Sequence, residues 1–298
     1  MKASTPSVSS YFSLVKFSHT VFALPFALIG FFLAVKMSRA HFSWALFAEV
    51  LLCMVFARSA AMAFNRYIDR RFDAANPRTA VREIPAGVIS SQQAALFTLF
   101  NCLAFVTVTA FINPVCFALS PVALLVILGY SYTKRFTALC HVVLGIGLSL
   151  APIGAFLAVT GRFHLLPLLY SFTVLFWVSG FDMIYAMQDE AFDKSQKLHS
   201  IPVAFGKQGT LLLSILFHLL SAGLVVWAGL YAGFGLFYWI GTGIFIGLLI
   251  YQHLLVKPND LSRVNMAFMN TNGLASIAFS VFVLIELLLA APGGIPGF

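Results

Sequence analysis

The stretch LLCMVFARSAAMAF, residues 51–64, runs without a break into NRYIDRRFDAANPRTAVREIPAG, residues 65–87. The first part holds one charge, Arg58, and otherwise reads as the inside of a membrane. The second holds three acidic residues and five arginines in twenty-three positions, in a chain that is only 9% charged. A membrane helix that ends in so dense a patch of both signs needs a use for it.

The rest of the chain agrees with the membrane setting. Of 298 residues 60% are hydrophobic and 32 are phenylalanine, whereas soluble domains sit near 45–50% apolar and about 25% charged. A spanning helix takes about 20 apolar residues. Nine runs qualify, at 19–36, 43–64, 93–112, 114–130, 139–160, 163–181, 209–231, 234–256 and 268–290. The ten-residue alternation of a membrane barrel is absent, so the expected fold is all-α, with about nine transmembrane helices.

The net charge of +8 would suggest nucleic acid in a soluble protein, but here the basic residues follow topology. The N-terminus and the connections after even-numbered spans carry 14 of the 18 lysines and arginines. The other side keeps Lys36, Arg39 and Arg162, and Arg58 lies inside a span. This bias places the N-terminus and the even connections in the cytoplasm and the C-terminus outside. The opening MKASTPSVSSYFSLV reads as a short cytoplasmic lead with no cleavable signal. Cys53, Cys102, Cys116 and Cys140 lie in apolar runs without metal-like pairing and read as inert core cysteines.

Two connections are more than linkers, 65–92 and 182–209, and both follow even-numbered spans. In the first, Asn65, Asp69 and Asp73 recur every fourth residue, which aligns them along one side of a helix. In the second, Asp182, Tyr185, Gln188, Asp189 and Asp193 share a helical stripe in the same way. Asp69 and Asp189 are 120 positions apart, as are Asp73 and Asp193, which suggests one domain over 1–298 built from two related halves. Carboxylates four apart on a helix repel, so a purely structural stripe leaves that cost unexplained, and a bound cation removes it. Oxygen donors without His or Cys suit Mg²⁺, which takes one or two carboxylates and fills its other positions with water and substrate phosphate. The neighbouring arginines and lysines suit a polyphosphate. Together the acidic stripes and basic connections read as a magnesium and diphosphate site.

NRYIDRRFD and DMIYAMQDEAFD resemble the two aspartate-rich motifs of the UbiA superfamily of intramembrane prenyltransferases. RTAVREIPAG resembles the segment after the first motif, and YSYTKRFT at 130–137 the connection after the fourth span. The likeness covers nearly the whole chain and points to the 4-hydroxybenzoate polyprenyltransferase branch, which includes relatives acting on aromatic acids for menaquinone. One departure is Arg66, where many relatives carry Asp, so position 66 has no metal role here. The resemblance implies helices around a central cavity that opens laterally to lipid. It implies transfer of a polyprenyl group from polyprenyl diphosphate to an aromatic acid in quinone biosynthesis, in a bacterial inner membrane with the site on the cytoplasmic side. Asn65, Asp69 and Asp73 would hold one magnesium-bridged part of the diphosphate, and Asp189 and Asp193 the other; these four aspartates would be the catalytic set.

Asp182 and Tyr185 sit on the second stripe as substrate-binding candidates, with Tyr185 either bonding diphosphate or serving as an interfacial aromatic. Lys134 and Arg135 either bind diphosphate or anchor the connection at the headgroups. Arg58 lies seven residues before Asn65, on the same face and about 10 Å deeper. A charge at that depth costs roughly 2.5–3.5 kcal/mol, which calls for an anionic partner, and the acceptor's carboxylate is preferred over the diphosphate. His19 and His141 read as interfacial or packed histidines rather than bases, and single phenylalanines such as Phe56 and Phe176 as lipid-facing or packing bulk. A naphthoate acceptor is the alternative substrate. An ion-coupled transporter is the alternative class, but its charges should lie near the midplane of broken helices, and these lie at span ends.

Overall fold

A computed structural model describes residues 7–16 and 22–289. Apart from an isolated bridge between Lys257 and Asp260, the regular elements among the described residues are helical. They are α1 (Val8–Leu14), α2 (Leu24–Ser38), α3 (Trp44–Ala75), α4 (Ser91–Ile112), α5 (Pro114–Thr133), α6 (Cys140–Thr160), α7 (Leu165–Ala186), α8 (Glu190–Ser195), α9 (Ile201–Ala232), α10 (Leu236–Leu255) and α11 (Asn272–Leu289). Among the described residues eight helical segments are long and apolar enough to cross a membrane. The first expected span is the exception. Only α2 represents it, with 15 residues, roughly 22 Å of helix against a hydrocarbon core of about 30 Å. His19 lies outside the described residues.

α3 does the reverse. Its 32 residues make roughly 48 Å of helix, so it overshoots the apolar run and carries Asn65, Asp69 and Asp73 on its last turns. Asn76 ends it in an extended conformation at φ −93° and ψ 117°, as expected of a residue before proline. The second stripe is not one helix. A 3₁₀ turn, Met187–Asp189, separates α7 from α8, and its rotation of about 120° per residue, against 100°, moves later side chains off the stripe. α9 also begins earlier than the expected 209, with Gly206 at φ 66° forming a kink inside it.

Six helices close on themselves: α2 packs on α6, α6 on α7, α7 on α9, α9 on α10, α10 on α11, and α11 returns to α2. Their shared core is aromatic, with Phe26, Tyr170, Trp177, Tyr238, Phe245 and Phe279 all buried. Lipid is as apolar as the core, so helices associate through close packing and hydrogen bonds rather than by hiding from water. Gly30 and Gly145 show why. A Cβ on Gly30 would stand 2.1 Å from the Pro152 carbonyl oxygen, and one on Gly145 2.6 Å from that of Leu175. Hydroxyls add bonds between helices, such as Ser221 Oγ to the Thr173 carbonyl at 3.0 Å and Ser280 Oγ to that of Pro25, also at 3.0 Å.

α3, α4 and α5 pack on one another and reach the ring through α5 on α6. They point Leu96, Leu99, Phe100, Phe111 and Leu125 outward, as a lipid-facing wall should. Phe56 meets Phe100 at 6.5 Å and Phe176 meets Phe217 at 5.4 Å between ring centres, which is packing bulk. Between this wall and the ring lies a cavity.

Candidate active site

The cavity has a volume of about 860 Å³ and is walled mainly by α3, α4, α5, α6 and α7, with residues 76–82 as its cap. One end is polar. The other is apolar and passes Cys53, Leu119 and Gly154 to reach Val50, Ile112 and Ala158. From Asp69 to Val50 along α3 the distance is roughly 28 Å, so the space runs through most of a membrane's thickness.

Asn65 and Asp69 face the polar end one turn apart, and Asn65 Nδ2 donates to Asp69 Oδ2 at 3.1 Å. Arg135 Nη2 reaches Asp69 Oδ1 at 2.8 Å and also bonds the Ile68 carbonyl at 3.2 Å. Asp73 is buried; Arg82 Nη1 donates to its Oδ1 at 2.6 Å, while Oδ2 has no partner among the described residues. Across the cavity Asp189 pairs with Arg78 and accepts from Asn76 Nδ2 at 3.1 Å. Arg78 Nη1 also donates to the Tyr185 hydroxyl at 3.1 Å. Burial works against the charge on Arg78, but the hydrogen bond and charge of Asp189 prevail and hold its pKa above the ordinary value. Arg78 thus clips the cap that follows the first motif onto the second.

Asp193 stands apart. It is 0% exposed, does not line the cavity, and pairs with Lys134 Nζ at 2.7 Å. The 3₁₀ turn is the reason: α8 starts out of phase with α7, so the stripe that reads as continuous in sequence places Asp189 at the cavity and Asp193 beneath it. Lys134 itself lines the cavity, and its backbone carbonyl accepts from the His199 backbone N–H at 2.7 Å. Gln188 also misses the cavity, and its side chain donates to the Tyr185 carbonyl at 3.1 Å.

Deeper in, Asp182 accepts from His141 Nδ1 at 2.7 Å, and both line the cavity. Arg58 lines it too, with Nη2 donating to the Lys16 carbonyl at 3.2 Å and Nε without a partner among the described residues. Tyr185 stacks on Phe268 at 4.1 Å between ring centres. Of the ten residues read from the sequence as site residues, all but Asp193 therefore reach one cavity.

The structure adds Arg66, Asn76, Tyr130 and His141 to its walls. Arg66 is 5% exposed, and its Nε has no partner among the described residues. In the sequence it read only as a basic departure from the acidic motif, with no metal role, and the structure places it on the wall. Asn76 carried no signal of its own in the sequence. His141 offered no signal, because its partner Asp182 lies 41 positions away.

Seven basic and four acidic side chains line the cavity among the described residues, a surplus of cations that suits a strongly anionic ligand. Among the described residues no three His, Cys, Asp or Glu side chains converge to hold a metal by themselves. A magnesium ion bound here must therefore take most of its ligands from water and substrate. The donor set fits that demand, since Asn65, Asp69, Asp73 and Asp189 offer only oxygen toward a metal, and the buried Oδ2 of Asp73 is free.

A family model described as the UbiA prenyltransferase family matches residues 23–274. The chain belongs to the UbiA prenyltransferase family. A protein of Nitrosospira multiformis named 4-hydroxybenzoate octaprenyltransferase is 32% identical over 242 residues, covering 81% of this chain and 83% of that one. Among solved structures, the apo form of a UbiA homolog from Aeropyrum pernix K1 superposes with a TM-score of 0.77 at 28% identity, covering 91% of this chain and 97% of that one. A UbiA homolog from Archaeoglobus fulgidus bound to GPP and Mg²⁺ shares the fold, with a TM-score of 0.73 at 18% identity, covering 94% of this chain and all of that one, 100%. This UbiA-family chain is thus an all-α, multi-pass membrane protein.

Proposed function

We propose that this UbiA-family protein transfers a polyprenyl group from polyprenyl diphosphate to an aromatic acid of the 4-hydroxybenzoate type, with Mg²⁺, in quinone biosynthesis. One observation carries the reading: a single cavity joins a cation-rich end, holding Asp69, Asp73 and Asp189, to an apolar extension through the helices. Diphosphate fits the first and a prenyl chain the second. Relatives named 4-hydroxybenzoate octaprenyltransferase support the acceptor class, and the Archaeoglobus homolog with GPP and Mg²⁺ supports the donor and the ion.

In this reading Asn65, Asp69, Asp73 and Asp189 would hold magnesium together with the diphosphate. Bound there, the ion offsets charge that gathers on the departing diphosphate. Arg78, Arg82 and Arg135 exchange a carboxylate for phosphate oxygens, to which a guanidinium can bond in bidentate fashion. Lys134 joins them, positioned by Asp193. Tyr185 orients Arg78. Arg58 binds the acceptor's carboxylate, and the apolar walls keep water from an allylic cation that water would convert to an alcohol.

The chain acts as one domain of two related halves, and Arg78 joins their motifs. The prenyl chain enters from the lipid, and magnesium and the aromatic acid from the cytoplasm of a bacterial inner membrane. Charges gathered at helix ends around a diphosphate-sized pocket favour this over a transporter. The test is product analysis by mass spectrometry, using purified protein in lipid with one prenyl diphosphate and a panel of hydroxybenzoates and naphthoates. Magnesium-dependent formation of a prenylated hydroxybenzoate is the expected result; prenylation of naphthoates alone overturns the acceptor, and no prenylated product with any acceptor overturns the function.

A further inference from the structure

His141 is buried, lines the cavity, and has two ring nitrogens in different situations. Nδ1 lies 2.7 Å from Asp182 Oδ2. A carboxylate only accepts, so Nδ1 carries a hydrogen, and the carboxylate fixes the ring's orientation. Nε2 has no partner. A buried nitrogen left unsatisfied is destabilising, a cost the fold need not bear if Nε2 meets a ligand.

The surroundings identify the ligand's chemistry. Asp182 lies on α7 seven residues before Asp189, so the pair sits about 10 Å deeper than the diphosphate end. Arg58, Arg66 and Tyr130 line the same inner region. The inner region therefore offers cations for a carboxylate and one oriented imidazole for a second polar group. An aromatic acid with a ring hydroxyl presents both.

We infer that His141 is a catalytic residue whose Nε2 takes the proton of the acceptor's ring hydroxyl, with Asp182 as its positioning partner. This rests on the prenyl-transfer reading above. The O–H bond breaks, its proton passing to Nε2 and its electron pair remaining on oxygen. The ring carbon beside that oxygen then bonds to the allylic carbon, whose bond to the diphosphate oxygen breaks with its electron pair leaving on diphosphate. The hydrogen on the alkylated ring carbon leaves as a proton to diphosphate, and the proton on Nε2 returns to the ring oxygen. Aromaticity and the hydroxyl are restored, and nothing is oxidised or reduced. Asp182 stabilises the imidazolium in between.

The experiment compares wild type with His141→Phe and His141→Gln, using 4-hydroxybenzoate and a ring-fluorinated 4-hydroxybenzoate that keeps one position beside the hydroxyl open. Fluorine acidifies the hydroxyl, so more of that acceptor arrives already ionised. Both variants should lower kcat for 4-hydroxybenzoate roughly a hundredfold, the usual scale for a proton-transfer group, with the donor's KM unchanged. The loss should shrink at least tenfold for the fluorinated acceptor. His141→Gln can keep a bond to Asp182, so it serves if His141→Phe does not fold. An equal loss with both acceptors, or no loss, overturns the inference. A wild type that prenylates neither acceptor overturns the function instead, before any variant is measured.

Discussion

Asp189→Asn separates the site's chemistry from its architecture. The amide keeps the shape of the side chain and an oxygen that can accept from Asn76 and Arg78, but it loses the charge. In the Asp189–Arg78 pair the side chains are 14% and 34% exposed, so the pair is partly solvated and its loss should cost about 1 kcal/mol. The melting temperature in detergent should fall by only a few degrees. Losing a charge that holds magnesium against the departing diphosphate is larger. A single preorganised electrostatic contact in a water-excluded site is worth about 2.7–4 kcal/mol, or 10²–10³ in rate. The expected result is therefore a loss of that order in kcat/KM with the fold intact. Asp69→Asn should do the same, because Asp69 faces the same cavity from α3. If both halves hold one diphosphate, the double variant should be little worse than either single one, since groups acting as a unit are not additive. The assay is initial-rate prenylation over a magnesium titration, with unfolding followed in parallel. Losses that multiply in the double variant, more than a tenth of the activity in either single one, or full activity in EDTA would refute the shared site.

Arg58→Ala and Arg58→Lys should raise the acceptor's KM more than the donor's, and acceptors without a carboxylate should be affected less; a change confined to the donor would move Arg58 to the phosphate site. Gly154 lines the cavity, and a Cβ there meets nothing within 4 Å. Gly154→Phe should therefore fill the apolar end without straining the helix and lower kcat/KM for long prenyl donors more than tenfold while sparing short ones, and equal use of every donor length would place the chain elsewhere. Cysteines introduced at Ala75 and Ser195, both exposed, in a background lacking the four native cysteines should label from the cytoplasmic side, and labelling from opposite sides would break the topology.

Much of this was legible in the sequence because it depends on local period. Apolar runs of about twenty residues fix the spanning helices whatever they pack against, since lipid leaves the backbone no other partner. The four-residue spacing of Asn65, Asp69 and Asp73 survives intact because α3 continues unbroken to Ala75. The same reasoning failed at Asp193, where a 3₁₀ turn of three residues changes the phase. Helical period is a rule about uninterrupted helices, and sequence alone did not mark the interruption.

The partnerships were decided only by tertiary structure. Arg78 with Asp189, Lys134 with Asp193, Arg135 with Asp69 and His141 with Asp182 join residues 41 to 111 positions apart. Nothing in the spacing of one segment reports which charge of another will face it. That depends on how closely α6 can approach α2 and α7, which Gly30 and Gly145 set by leaving no room for a Cβ. Sequence thus determined that acids and bases gather where α3 and α7 leave their apolar runs, because hydrophobic length places the membrane boundary of each helix. Packing decided which of them meet, because a cavity exists only once its walls have closed around it.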